Sequence, residues 1–334
     1  MRTTLIHRAV TLFFWCVLVG LTSGQSTFVS AQIKKQPINQ SANTVNTLKA
    51  PHDALHFFVV GDWGRNGQFN QREVAQQMAH AALRVEPEFI INVGDNFYPS
   101  GVASIDDPLW ISSFENIYTD HALFCPWYSV LGNHDYRGNA QAQVDYTKKS
   151  RRWYMPQRYY TIKKKLTSTD SVEFVFIDTP PFITKYYEDD EKYGVVGQDT
   201  ARQWRWIDSV LSTSKAQWKI VVGHHHMFSG GKRKKEETTL QKRLVPLMEK
   251  YGVQAYFNGH EHDLQVIKRP DGPITYFVSG AGSESRPSGT TEGTQFSAGT
   301  SGFMTMSLTP DTLFVSVIDF RGTILHQTVV PRKR

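Results

Sequence analysis

Cysteine is nearly absent: the 334 residues hold two, Cys16 and Cys125. Two are too few for a disulfide framework, and Cys16 lies in an apolar N-terminal run, so a chain processed after that run keeps Cys125 without an internal partner. The fold must then be held by its core or by metal. Cys125, between Phe124 and Pro126, reads as a small buried residue rather than a nucleophile. Long apolar runs are also lacking. Ala9 to Leu21 comes nearest, at about 13 residues where a bilayer span needs roughly 20. It follows Arg2 and Arg8 and precedes Val29-Ser30-Ala31, a small-residue cleavage pattern, with no cysteine where a lipoprotein would need one. Residues 1–31 therefore read as a secretory signal peptide, an uncleaved anchor being the alternative. Removing them takes out two arginines and no acids, so the formal charge falls from +6 to +4. The protein is expected to be secreted or periplasmic, with no membrane span after cleavage, and a monomer. That mild positive excess suits an acidic or phosphorylated partner without requiring one. The basic runs KKK (163–165) and KRKKEE (232–237) read most simply as solvated faces, phosphate steering being the sharper alternative. They carry no aromatic interleaving and no nucleic-acid-binding motif, so nucleic acid is not an expected partner. No internal repeat is visible, and 40% hydrophobic residues exclude a fibrous or largely disordered chain.

What is present is a rhythm. Residues 32–51 are polar and aperiodic and read as a flexible leader. From there, short apolar runs recur as strands: LHFFVV (55–60), FIINV (89–93), WYSVL (127–131), EFVFID (173–178), WKIVV (218–222) and VQAYF (253–257). Helical spacing appears at 70–84, 199–213 and 238–251. Beyond Asn258 come LQVIK, ITYFVS, FMTMSL, LFVSVID and ILHQTVV without long helices between them, which predicts antiparallel additions to a second sheet. Segment 280–302, rich in Gly, Ser and Thr, reads as a long surface loop. The expected architecture is α/β (α+β by some schemes): a two-sheet β-sandwich flanked by helices, with residues 52–334 forming one domain.

Five strand ends carry the same kind of sequence: GDWG (61–64), GDNFY (94–98), GNHD (132–135), GHHH (223–226) and GHEH (259–262). Singly, Gly-Asp after a strand is a common turn and Gly-His is commonly structural. Five in one chain, each delivering Asp, Asn or His where ligands bind in layered sheets, point to one convergent site. The glycines read as the residues that let the backbone turn so that the next side chain enters the crevice. Carboxylate, amide and imidazole together suit first-row metals, and the absence of thiolates argues against a zinc finger or an iron–sulfur cluster. One metal cannot use all these groups. Two metals sharing a carboxylate, about 4 Å apart, would activate a water and clamp phosphoryl oxygens.

In this order the motifs resemble the signature of the metallophosphoesterase superfamily, and within it the purple acid phosphatases of the small tartrate-resistant type. Where many metallophosphoesterases open with Asp-x-His, this chain has Gly64 in place of the histidine, and Tyr98 stands three residues after Asp95. GNAQAQ (138–143), RRWYMPQRYY (151–160), YGVQAYFNGHEHDLQ (251–265) and FVSGAG (277–282) extend the likeness over roughly residues 55 to 334. The resemblance implies the calcineurin-like architecture, with Fe(III) held by Asp62, Tyr98, His262 and a bridging Asp95. It implies a second, divalent metal (Fe, Zn or Mn) on Asn133, His224, His260 and the same Asp95. His134 matches an outer histidine that binds phosphate or protonates the leaving group, with Asn133 and His225 as further substrate contacts. The sequence departs from the mammalian pattern after His226, where MFSGGKRKKEETT supplies no further histidine; His225, His226, Lys232 or Arg233 would have to substitute, or none of them has that role. His226 also stands where the family usually has proline. The reading is an acid phosphatase acting on phosphate monoesters through a metal-activated hydroxide. A phosphodiesterase or nucleotide pyrophosphatase of the same superfamily is the alternative, and a non-catalytic metal-binding scaffold a more distant one.

Overall fold

The computed structural model describes residues 43–235 and 238–332. The signal-peptide reading of residues 1–31 lies outside them. Among the described residues, fourteen strands form two seven-stranded mixed sheets. The first sheet takes β1 (Leu55–Val60), β2 (Phe89–Asn92), β3 (Trp127–Ser129) and β4 (Trp153–Tyr154), all parallel. The second takes β5 (Tyr160–Lys165), β6 (Ser171–Phe176), β7 (Trp218–Val222), β8 (Ala255–Asn258), β9 (Leu264–Lys268), β10 (Thr275–Ser279) and β11 (Thr294–Ala298). The last three, β12 (Gly302–Leu308), β13 (Thr312–Asp319) and β14 (Ile324–Pro331), return to the first sheet as an antiparallel meander on β1. The C-terminal strands are therefore divided between the sheets, whereas the sequence reading assigned them to the second. Strand β10 moreover pairs parallel with β8.

The parallel strands read as continuous apolar runs because both of their faces are covered. In β1, Phe57 and Val59 face the space between the sheets, while Phe58 and Val60 face a second core with the long helix α1 (Gln71–Val85). Phe57 stacks on Phe89 of the neighbouring strand at 5.0 Å between centroids and, across the first core, meets Phe174 of β6 edge-on at 5.3 Å. The residues Val74, Met78, Ala81, Ala82 and Val85 give α1 its buried stripe. The short α2 (Ala140–Asp145) and α3 (Asp190–Tyr193) occupy connections. Helix α4 (Thr200–Thr213), capped by Asp199 accepting from the Arg202 N–H, and α5 (Thr238–Lys250) cover the second sheet with Trp204, Ile207, Leu211, Leu240, Leu244 and Met248.

Three segments differ from the sequence reading. Residues 43–51 are docked rather than flexible: Thr44 bridges to Thr323, and Val45 and Leu48 are buried against the second core. Lys163, Lys164 and Lys165 lie on the edge strand β5, with Lys163 Nζ 3.4 Å from Glu173, rather than on a loop or helix. The 280–302 segment contains β11, another edge strand, paired with β9. Cys125 is half-buried, and burial pushes its thiol up to about 11, which suits an inert side chain. Among the described residues no helix is long and apolar enough to cross a membrane.

Candidate metal centre

The five glycine-led motifs follow β1, β2, β3, β7 and β8, so three come from one sheet and two from the other, all at the C-terminal ends of parallel strands. They meet there. Within the five motifs, the non-glycine residues in left-handed backbone are Asp62 (φ 57°), Asp95 (φ 50°) and His260 (φ 69°), and of the five leading glycines only Gly94 shares that conformation. Such strain costs on the order of 1–3 kcal/mol per residue and gathers at functional sites. The glycines serve close approach instead. A Cβ on Gly132 would collide with Asp95 Oδ1, and one on Gly259 with Asp62 Oδ2.

Four candidate ligands form one buried group. The Tyr98 hydroxyl lies 3.0 Å from Asp62 Oδ1, 3.1 Å from Asp95 Oδ2 and 3.1 Å from His262 Nε2. Asp62, Asp95 and His262 bring their ligand atoms within 4.8 Å of one another. A second group adjoins it. His224 Nδ1–H donates to the Val93 carbonyl at 2.9 Å, which leaves Nε2 facing Asn133 Oδ1 at 3.3 Å and His260 Nδ1 at 3.2 Å. Asp95 Oδ2 is also 3.4 Å from His224 Nε2, so one carboxylate oxygen stands between the two groups.

The electrostatics call for cations. Burial pushes Asp62 well above the usual carboxylate range, with neighbouring Asp95 adding to it. Burial opposes ionisation of Asp95 too, but His224 and His134 outweigh it and hold that carboxyl well below the usual range. In return His224, despite its burial, is pushed up to about 9, chiefly by Asp95. His260 and His262 are pulled down by burial and stay neutral, as metal ligands must be. Two buried carboxylates, a phenol and three imidazoles, with protons as the alternative counter-charge, fit a pair of metal ions.

His134 sits at the rim, its side chain 16% exposed. Its Nδ1 is 2.6 Å from the Pro99 carbonyl, which assigns the proton there and turns Nε2 toward the centre, 4.0 Å from Asp95 Oδ2. Burial pulls its pKa down, against the opposing pull of Asp95. His225 is oriented differently: Nδ1 meets Thr179 Oγ1 at 2.8 Å and Nε2 meets the Tyr186 hydroxyl at 2.9 Å. His226 is buried, with Nε2 3.1 Å from the Arg233 carbonyl. Arg233 donates from Nη1 to the His260 carbonyl at 2.6 Å, so it abuts the second ligand group. Lys232 is exposed.

Sequence reading passed over the residues that hold these loops. Asp135 accepts from the N–H groups of Asn96 (2.9 Å), Phe97 (3.2 Å) and Gly132 (2.8 Å) and from Gln143 Nε2 (2.8 Å), tying the loop after β2 to the loop after β3. Its position in GNHD was visible, but its partners were not. Thr179 follows β6, a strand end with no glycine to mark it.

Comparison with known proteins agrees with this geometry. The model of the calcineurin-like phosphoesterase family matches residues 55–264. Purple acid phosphatase 3 of Arabidopsis thaliana is 35% identical over 337 residues, spanning 97% of this chain and 87% of the plant protein. Tartrate-resistant acid phosphatase type 5 of Mus musculus is 31% identical over 310 residues, spanning 85% and 92%. A solved structure of GAP50, the anchor in the inner membrane complex of Plasmodium, superposes with a TM-score of 0.75 at 24% identity, over 84% of this chain and 89% of that one. That likeness concerns the fold alone. With a matching family model and relatives above 30% identity over most of its length, this chain belongs to the calcineurin-like phosphoesterases and, within them, to the purple acid phosphatases.

Proposed function

We propose that this protein is a secreted or periplasmic acid phosphatase that hydrolyses phosphate monoesters at a centre of Fe(III) and a second divalent metal. Asp62, Tyr98, His262 and Asp95 would hold the iron, and Asn133, His224, His260 and the same Asp95 the divalent ion. The observation that carries this reading is the position of Asp95 Oδ2, 3.1 Å from the Tyr98 hydroxyl and 3.4 Å from His224 Nε2. A phenolate is a hard anion and favours a trivalent iron over a softer ion. The metals, when bound, supply an activated water and offset charge on the phosphoryl oxygens.

The chain's own contribution is orientation and proton transfer. Asn133 and His134 are the substrate contacts this reading retains. His225 is left out, because both of its ring nitrogens are engaged. His134 Nε2 faces the centre from the rim, where a phosphate dianion would favour the charged imidazolium and offset the downward pull of burial. From there it is placed to hold the phosphoryl group and to pass a proton to the departing alkoxide.

Two results are expected. Metal-loaded protein should hydrolyse aryl and alkyl monoesters with kcat/KM at least about tenfold above that for the matching diesters, a difference of about 1.4 kcal/mol in barrier. Parity or the reverse order would move the reading to a phosphodiesterase. Oxidised protein should also be coloured, and Tyr98→Phe should remove the visible band while leaving the circular dichroism spectrum unchanged. A colourless wild type containing stoichiometric iron would contradict the tyrosinate assignment.

A further inference from the structure

An ion pair that the ligand assignment does not use abuts the iron side of the centre. Arg65, in the loop after β1, places its Cζ 3.7 Å from the centroid of the Tyr98 ring. Its Nη2 is 2.7 Å from Glu284 Oε2, and that oxygen is 3.9 Å from His262 Nδ1. The Arg65 side chain is 16% exposed. Its backbone is held as well: buried Gln71 accepts from the N–H groups of Arg65 at 3.0 Å and Gly67 at 2.7 Å. One cation, its backbone fixed by Gln71, and the anion paired with it therefore border two of the four proposed iron ligands.

A guanidinium so close to a phenolate face lowers the energy of the filled ring orbitals from which the oxygen donates to Fe(III). We infer that Arg65 and Glu284 are positioning residues that set the electronic state of the iron site. Arg65 restrains Tyr98 donation, and Glu284 opposes that restraint by pairing with Arg65. This rests on the reading of Tyr98 as an Fe(III) ligand.

The two residues carry opposite charge, so their removal should move the visible band in opposite directions. Iron-loaded wild type, Arg65→Met, Arg65→Lys and Glu284→Gln would be compared by visible absorption, with iron content measured on the same samples. Arg65→Met should shift the maximum to longer wavelength by on the order of 10 nm, which is roughly the energy of one cation–π contact expressed on a visible transition. Arg65→Lys, which keeps the charge on a similar stem, should stay nearer to wild type. Glu284→Gln should shift the band to shorter wavelength.

Bands unmoved in Arg65→Met and Glu284→Gln would overturn the inference. So would shifts of the same sign, which indicate a loosened loop rather than a charge effect. If Arg65→Met fails to retain iron, Glu284→Gln decides alone: a shorter wavelength supports the inference, and no shift or a longer one overturns it. Persistence of the wild-type colour in Tyr98→Phe would instead strike the ligand reading beneath it, a failure that the spectra keep distinct.

Discussion

Asp95→Asn is expected to lose at least one metal and to lower kcat by about 10³-fold or more. Asp95 is fully buried, with Oδ1 taken by the His134 N–H at 2.7 Å and Oδ2 between the two ligand groups. In the proposed centre it is the one charged group shared by both cations. Two unit charges 4 Å apart repel by about 4 kcal/mol at an effective dielectric constant of 20, and a trivalent–divalent pair multiplies that several-fold. Asparagine keeps the shape and one oxygen but supplies no compensating charge. Losing about 4 kcal/mol of transition-state stabilisation corresponds to about 10³ in rate. Asn133→Ala, which touches only the second ligand group, should cost less. The measurements are metal content by elemental analysis and kcat on the same preparations, with circular dichroism to confirm folding. Wild-type metal content together with a rate within a few-fold of wild type in Asp95→Asn would sink the shared-carboxylate arrangement.

The second large effect concerns His134. Positioned general acids contribute about 10²–10⁴-fold, and little of that is needed when the leaving group is already stable as an anion. His134→Ala should therefore slow alkyl phosphates by a factor in that range while slowing activated aryl phosphates far less. The quantity to compare is the slope of log kcat/KM against leaving-group pKa in wild type and variant, measured where the chemical step limits the rate. A steeper dependence in the variant assigns proton donation to His134. An unchanged slope with a uniform loss assigns it to phosphate binding alone, a role that its Nε2, 4.0 Å from Asp95 Oδ2, also permits. His225, with both ring nitrogens engaged by Thr179 and Tyr186, is poorly placed to take over.

Much of the site was legible because its signal is local. A buried parallel strand is a short apolar run, and the residues just past its C-terminal end face the crevice between connections, so Gly61-Asp62, Gly94-Asp95 and Gly259-His260 could be found in order along the chain. Their backbone could not. The sequence suggests that glycine takes the sharp turn, yet of the five leading glycines only Gly94 is left-handed, Asp62, Asp95 and His260 are themselves left-handed, and Gly132 and Gly259 make room for neighbouring carboxylates. The edge strands β5 and β11 were missed for a different reason. β5 carries three lysines and β11 reads TQFSA; an edge strand pairs on one side only and needs little apolar alternation.

The sequence by itself determined the layered α/β class, the order of the strands that end in metal-ligand types, and the chemistry those types favour, since period, strand length and donor hardness are properties of short segments. Only the tertiary structure decided which donors share an oxygen. It also decided that β12–β14 return to β1, with His56 facing Ser307 across 251 residues of chain, that Val45 and Leu48 are packed, and that Arg65 lies on the Tyr98 ring. These are pairings between distant segments. Their free energy comes from burial and electrostatic fit that exist only once the two sheets have met, and no local pattern records them.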